Sequence, residues 1–186
     1  LILPSPTGFK ESIIRIAVGE EYEQHDLLHK LKEIGYRKVT QVQTQGEFSI
    51  RGDILDIFEM SQLEPFRIEF FGDEVDGIRT FEVETQLSKE NQTELIIFPA
   101  SDILLRERDY IRGQSALEKQ ISKTLSPILK SYLEEILSSF HQKQVHSDSR
   151  KFLSLCYDKT WTIFDYIEKD TPVFFDDYQK LMNQYE

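Results

Sequence analysis

Several ingredients are scarce in this 186-residue chain, and each scarcity excludes something. A single cysteine, Cys156, leaves no internal disulfide framework and no cysteine-rich zinc site. A lone thiol suits a reducing compartment, so a cytoplasmic protein is expected. Long apolar runs are missing: none approaches the roughly 18 residues of a membrane span, and no signal peptide is visible. Basic charge is short as well. Lys and Arg number 22 against 33 Asp and Glu, for a net charge of −11. A field of that sign does not draw the chain to DNA, RNA or an anionic membrane.

Chemical motifs are equally thin. There is no glycine-rich loop ending in Gly-Lys-Ser/Thr, so ATP has no seat and no cofactor is expected in this chain. No serine stands in a Gly-X-Ser-X-Gly elbow. His25 and His29, four apart, share a helix face but have no third ligand close in sequence, so no metal site is expected. His141 and His146 fall in a polar segment, and no ligand role is expected there either. Asp176 and Asp177 follow the apolar Val173-Phe174-Phe175, which without a phosphate loop reads as a buried strand with a solvated exit. Arg51-Gly52-Asp53 reads as a strand with a glycine kink. The carboxylates are too many and too solvated to nominate an acid–base pair. No catalytic residue is expected, and the chain by itself is not expected to be an enzyme.

What is present is an ordinary globular composition, 39% apolar and 30% charged, long enough for a real core. The chain opens at Leu1 inside an apolar phrase and reads as a piece of a longer protein. Its patterning predicts an α+β fold in three parts. Residues 1–36 read as the end of an α/β domain. Ser12 to Val18 is a β-rich run, and Leu27, Leu28, Leu31 and Ile34 recur at helical spacing between a cap at Asp26 and a stop at Gly35. Residues 37–90 form a β-rich domain, a small antiparallel meander of three or four strands within Arg37 to Leu87. Ser88 to Thr93 reads as a turn, and Leu95 to Pro99 as a further strand. Residues 91–186 form a helical α/β segment. One helix takes Ala116, Leu117, Ile121 and Leu125. A second runs from Pro127, tolerated in the first turn, through Phe140. Thr171 to Phe175 reads as a strand, and Cys156 among Leu153, Leu155 and Tyr157 as a buried, inert thiol.

The alternation along the meander says which side chains face solvent. Successive strand residues point to opposite faces. Phe66, Ile68 and Phe70 therefore share the core face, and Arg67, Glu69 and Phe71 share the other. Phe48 and Ile50 point inward, which turns Ser49 and Arg51 outward. An outward Phe beside Arg has the composition of an interface anchor; the plainer reading is a polar sheet face on which Arg67 pairs with Glu69 or a neighbouring strand. Residues 41–80 hold three basic and nine acidic side chains, a balance of −6. Phosphate backbones call for clustered Lys and Arg, whereas a few arginines in an acidic field suit a protein partner.

Ordered strings in the same region resemble a known family. They are Gly35-Tyr36-Arg37-Lys38-Val39; Gly46-Glu47-Phe48-Ser49-Ile50-Arg51-Gly52-Asp53-Ile54-Leu55-Asp56-Ile57-Phe58; Phe66 to Arg79 with its Phe70-Phe71-Gly72-Asp73 turn; and Phe81 with Thr85-Gln86. Together they look like the bacterial transcription-repair coupling factor, in the region where that family is similar to the excision-repair protein UvrB. Ile97-Phe98-Pro99-Ala100-Ser101 departs from the family's pro-ala-arg-glu at the corresponding place. The resemblance implies a protein that displaces stalled RNA polymerase with an ATP-driven DNA translocase and recruits UvrA. It implies that the β-rich domain is the UvrA-docking surface, and that ATP and Mg belong to a motor elsewhere in the parent. By motif match, Arg51, Arg67 and Phe71 fall on docking positions, with Glu69 an acidic position beside them. Arg51 and Arg67 are expected to meet acids on UvrA, Glu69 to pair or orient Arg67, and Phe71 to anchor. Because Arg67 and Phe71 both point outward, truncating either is expected to leave the fold intact. UvrB-like sequences often carry arginine where this chain has Ser49, so the face is less basic here. The alternatives are a UvrB-like nucleic-acid-binding fragment, or an autoinhibitory domain packing on the parent's motor.

Overall fold

The computed structural model describes residues 2–143, 148–174, 176 and 178–183. It is an α+β fold, as the patterning predicts, built around two larger apolar clusters and a small third one. A short helix α1 (Pro6–Glu11) leads into strand β1 (Ile14–Ala17) and helix α2 (Gln24–Glu33). The helix begins earlier than the sequence indicates. Its cap is Glu23, whose carboxylate accepts the Asp26 N–H at 2.9 Å, while Asp26 lies within the first turn. It ends where Gly35 takes φ +96°, with Gly35 N–H donating to the Lys32 carbonyl and Tyr36 N–H to the Leu31 carbonyl. That pair of bonds makes a Schellman cap, which needs a residue at ease with positive φ.

Six strands follow in one sheet: β2 (Arg37–Lys38), β3 (Glu47–Arg51), β4 (Ile54–Phe58), β5 (Phe66–Phe71), β6 (Glu74–Phe81) and β7 (Ser88–Gln92). Their order in space is their order in sequence. Only β2–β3 is parallel. The meander is thus wider than three or four strands. The region expected to be a turn, residues 88–93, supplies edge strand β7. Its side chains, Ser-Lys-Glu-Asn-Gln, carry no apolar period, because it is held by backbone pairing to β6 and by polar contacts such as Lys89 Nζ to Glu64 at 2.6 Å rather than by burial. Strand β8 (Glu94–Ile97) leaves the meander and pairs antiparallel with β1, Ile16 opposite Leu95.

One face of the six-stranded sheet carries the larger core. Phe48, Leu55, Ile57, Phe66, Ile68, Phe70, Val75 and Ile78 pack there with Leu27, Leu31 and Ile34 of α2 and with Ile16, Leu95 and Ile97 of the β1–β8 pair. The second core lies between helices α3 (Glu107–Lys123), α4 (Pro127–His141) and α5 (Leu153–Cys156). Helix α4 runs where the apolar spacing places it, with Pro127 in its first turn; α3 holds Ala116, Leu117 and Ile121, but Leu125 lies beyond its Thr124 cap and is exposed. Cys156 is fully buried in this core, and burial pushes its thiol up to about 12.

The expected strand at 171–175 does not form over residues 171–174, which are exposed and have no ladder partner among the described residues. A strand needs a partner for its backbone N–H and C=O groups, and apolar composition alone does not supply one. Phe175 and Asp177 lie outside the described residues. A final helix, α6 (Tyr178–Asn183), closes the described chain.

Candidate partner-binding face

The face opposite the larger core is organised by strand register. In one cross-strand row, Ser49 lies opposite Asp56, Asp56 opposite Arg67, and Arg67 opposite Arg79. In the next row, Arg51 lies opposite Ile54, Ile54 opposite Glu69, and Glu69 opposite Gly77. Phe71 is one alternation further along β5, next to the turn that precedes Glu74. The register shift between Glu69 and Phe70 puts the extra residue on β6, so β5 keeps its alternation to the end.

Part of this face is covered by the chain itself. Val42, Phe58 and Phe81 form a small apolar cluster on it, flanked by Val39 and Val83. Ser49 is buried there and its hydroxyl donates to the Thr40 carbonyl at 2.9 Å. The position where UvrB-like sequences often carry arginine thus lies under a loop in this chain.

Arg67 is on the predicted face but is not a free cation. Its side chain is only 14% exposed. Nε donates to Asp56 Oδ1 at 2.7 Å, Nη2 to Asp56 Oδ2 at 2.9 Å, and Nη1 to the Gln86 carbonyl at 3.1 Å. The guanidinium carbon sits 4.6 Å from the centre of the Phe81 ring. Bonding to the Asp56 carboxylate holds the Arg67 guanidinium above its ordinary range. The expected pairing of Glu69 with Arg67 is therefore replaced. Asp56 stands directly across the ladder from Arg67, and Glu69 instead accepts from Arg79 Nη2 at 2.9 Å. The expectation that Arg67 can be truncated without cost to the fold also falls, because its loss takes two hydrogen bonds from a carboxylate that is only 2% exposed.

The other expected residues remain accessible. Phe71 is 82% exposed. The Arg51 side chain is 56% exposed and donates from Nη2 to Asp56 Oδ2 at 3.0 Å. Ile54, between Arg51 and Glu69 in the row, is also exposed. Arg51, Ile54, Glu69, Arg79 and Phe71 thus surround the β3–β4 and β5–β6 turns, which are tied by a Phe70 N–H to Asp53 carbonyl bond of 2.8 Å. A shallow groove of about 410 Å³ beside Arg51 is lined by Lys38, Val39, Thr40, Ser49 and Ile50. A larger cleft of about 560 Å³, lined among others by Ser5, Glu11, Lys30, Arg106 and Trp161, contains none of the four expected contact residues.

Sequence reasoning missed Asp56, Ile54 and Arg79. Asp56 had a visible signal, a lone acid between Leu55 and Ile57 at an outward strand position. Its depth depends on loops that come from 39–46 and 82–87, and alternation does not report those. Among the described residues, Glu23, His25 and Asp26 bring ligand-type atoms within 4.8 Å of one another, all exposed. The Glu23 carboxylate is the helix cap described above.

No helix among the described residues is long and apolar enough to cross a membrane. Residues 14–102 match the family model described as the UvrB interaction domain, a span that includes the whole six-stranded sheet and the β1–β8 pair. The transcription-repair-coupling factor of Bacillus subtilis is 32% identical over 188 residues, 97% of this chain and 16% of that protein. Those of Staphylococcus haemolyticus and Staphylococcus aureus strain MRSA252 are 36% and 34% identical, over 93% and 89% of this chain and 15% of each relative. The chain therefore spans about one sixth of the length of the relatives it matches. The chain is a relative of one segment of the transcription-repair coupling factors, and its residues 14–102 match the UvrB interaction domain.

Proposed function

We propose that the chain is the part of a transcription-repair coupling factor that recruits UvrA to lesions where RNA polymerase has stalled. The docking element is the open part of the sheet face in the 37–90 domain. In this reading, polymerase, DNA and ATP are handled by other regions of the parent, whose motor is an ATP-driven DNA translocase. This segment is an adaptor without chemistry of its own, working in the cytoplasm.

The observation that carries the reading is Phe71. A phenyl ring left 82% exposed at a strand end, beside a half-exposed Arg51, is the combination that dominates binding hot spots. Its surroundings are acidic, residues 41–80 carrying a balance of −6. That field disfavours phosphate backbones and favours a protein surface that offers a carboxylate to Arg51 and an apolar socket to Phe71. Glu69, paired with Arg79, flanks the anchor and disfavours partners that bring acid to that side.

The test is titration of UvrA with the wild-type chain and with Phe71→Ala and Arg51→Ala. Each variant should bind about tenfold or more weakly while its circular dichroism and melting temperature stay at the wild-type values. Unchanged affinity in both variants refutes the docking assignment.

A further inference from the structure

Two arginines of this face share one buried anion, and the sharing divides their labour. Asp56 lies on β4 between the strands that carry Arg51 and Arg67. Arg67 grips it through two bonds, on Oδ1 and Oδ2. Arg51 takes the same Oδ2 from the other side. One carboxylate balances one of the two positive charges. Arg67 is withdrawn beneath Gln86 and against Phe81. The surplus charge is presented by Arg51.

We propose that Asp56 is a positioning residue for docking: it holds the Arg51 guanidinium in place for a carboxylate of the partner, while Arg67 fixes Asp56 and does not touch the partner. This rests on the docking reading above and changes it at two positions. Arg67 becomes a strut, and an aspartate that makes no contact with the partner becomes necessary for affinity. The physical gain is pre-organisation. A long side chain held before encounter loses less rotamer freedom on binding. A carboxylate buried among well-placed donors holds its ligands more firmly than one in water.

A double-mutant cycle with UvrA tests this, using Arg51→Ala, Asp56→Asn and Phe71→Ala singly and in pairs, each checked for folding by circular dichroism. Asp56→Asn should weaken binding by about as much as Arg51→Ala, on the order of tenfold. The pair R51A/D56N should be no weaker than the weaker single variant, because both remove the same held cation. The pair F71A/D56N should show the product of the two single losses. Should Asp56→Asn fail to fold, Asp56→Asn/Arg67→Gln removes both partners of the buried pair and serves in its place. Wild-type affinity in a folded Asp56 variant overturns the proposal. So do losses of Asp56→Asn and Arg51→Ala that multiply, or a coupling to Phe71→Ala as large as that to Arg51→Ala, since the last marks general disturbance of the face. If Arg51→Ala and Phe71→Ala both bind normally, the docking reading itself fails and this role falls with it. That outcome is distinct from one in which they weaken binding and Asp56→Asn does not.

Discussion

Residues with the same outward heading on one strand have opposite costs of removal. Phe71 makes almost no use of the fold that carries it, so Phe71→Ala should leave the urea midpoint unchanged. Arg67 is four residues earlier on the same face, and its removal leaves buried Asp56 with a single bond, from the half-exposed Arg51. Arg67→Ala should cost about 1.5–3 kcal/mol in urea unfolding, because Arg51 still compensates part of the Asp56 charge, with Asp56→Asn/Arg67→Gln less destabilised than Arg67→Ala alone. Equal midpoints for Arg67→Ala and Phe71→Ala would contradict this. A second buried acid sets a pH dependence. Burial alone raises the Glu47 pKa, but the N–H groups of Gln43 and Thr44, at 2.9 and 3.0 Å, and the Arg37 guanidinium outweigh it and bring it below its ordinary 4.5. A depressed folded pKa means stability that is present above 4.5 and lost as pH falls through the lower folded value. Wild type should therefore lose more stability than Glu47→Gln between about pH 7 and about pH 3, the two converging at the acid end. Parallel pH profiles would remove Glu47 from the account.

At the scale of elements, the sequence was readable where side chains met the core and mute where backbone did the holding. Phe48, Phe66, Ile68 and Phe70 announced the buried face through period two, and all four lie in the larger core. Strand β7 has no such period and was invisible, since its hydrogen bonds to β6 leave no mark on its polar side chains. The apolar run at 171–174 had the composition of a strand but has no ladder partner among the described residues. On the candidate face, alternation found Arg51 and Phe71 but misjudged Arg67, because burial there comes from loops that cross the sheet rather than from the strand. Helix packing hides a comparable dependence at Gly113, in the interior of α3. A Cβ there would stand 2.7 Å from Phe140 Cε2 and 2.8 Å from Cys156 Sγ, so the glycine is what lets α4 and α5 approach. Gly113→Ala gains about 1 kcal/mol of helix propensity and meets about 1–3 kcal/mol of overpacking. A net lower melting temperature is expected, accompanied by faster reaction of Cys156 with a thiol reagent; a rise in melting temperature would show that the helices separate freely.

Across the whole molecule, the two cores set how much of the chain docking requires. The strands β3 to β6, with α2 and the β1–β8 pair behind them, contribute to the larger core, whose last buried member is Leu104, and the small cluster of Val42, Phe58 and Phe81 on the candidate face also lies before α3. Tyr110, Leu117, Leu133, Ile136, Phe140 and Cys156 close a separate core from α3 onward. The links from the larger core to the later segments are mostly polar, Arg150 to Asp102, Arg106 to Glu11, the Tyr157 hydroxyl to the Leu104 carbonyl, the Tyr166 hydroxyl to the Pro4 carbonyl and the Leu3–Trp161 bridge, with one ring contact between Phe9 and Tyr166. Exposed ion pairs contribute little, so their loss should lower stability without dissolving the sheet. Residues 1–105 expressed alone should therefore fold cooperatively, melt below the full chain, and bind UvrA within about twofold of its affinity, since distant sites act nearly independently. Circular dichroism and calorimetric titration decide it. A fragment that folds and binds much more weakly would assign part of the docking surface to α3 and α4. One that binds much more tightly would mean that the second core masks the face that Phe71 and Arg51 present.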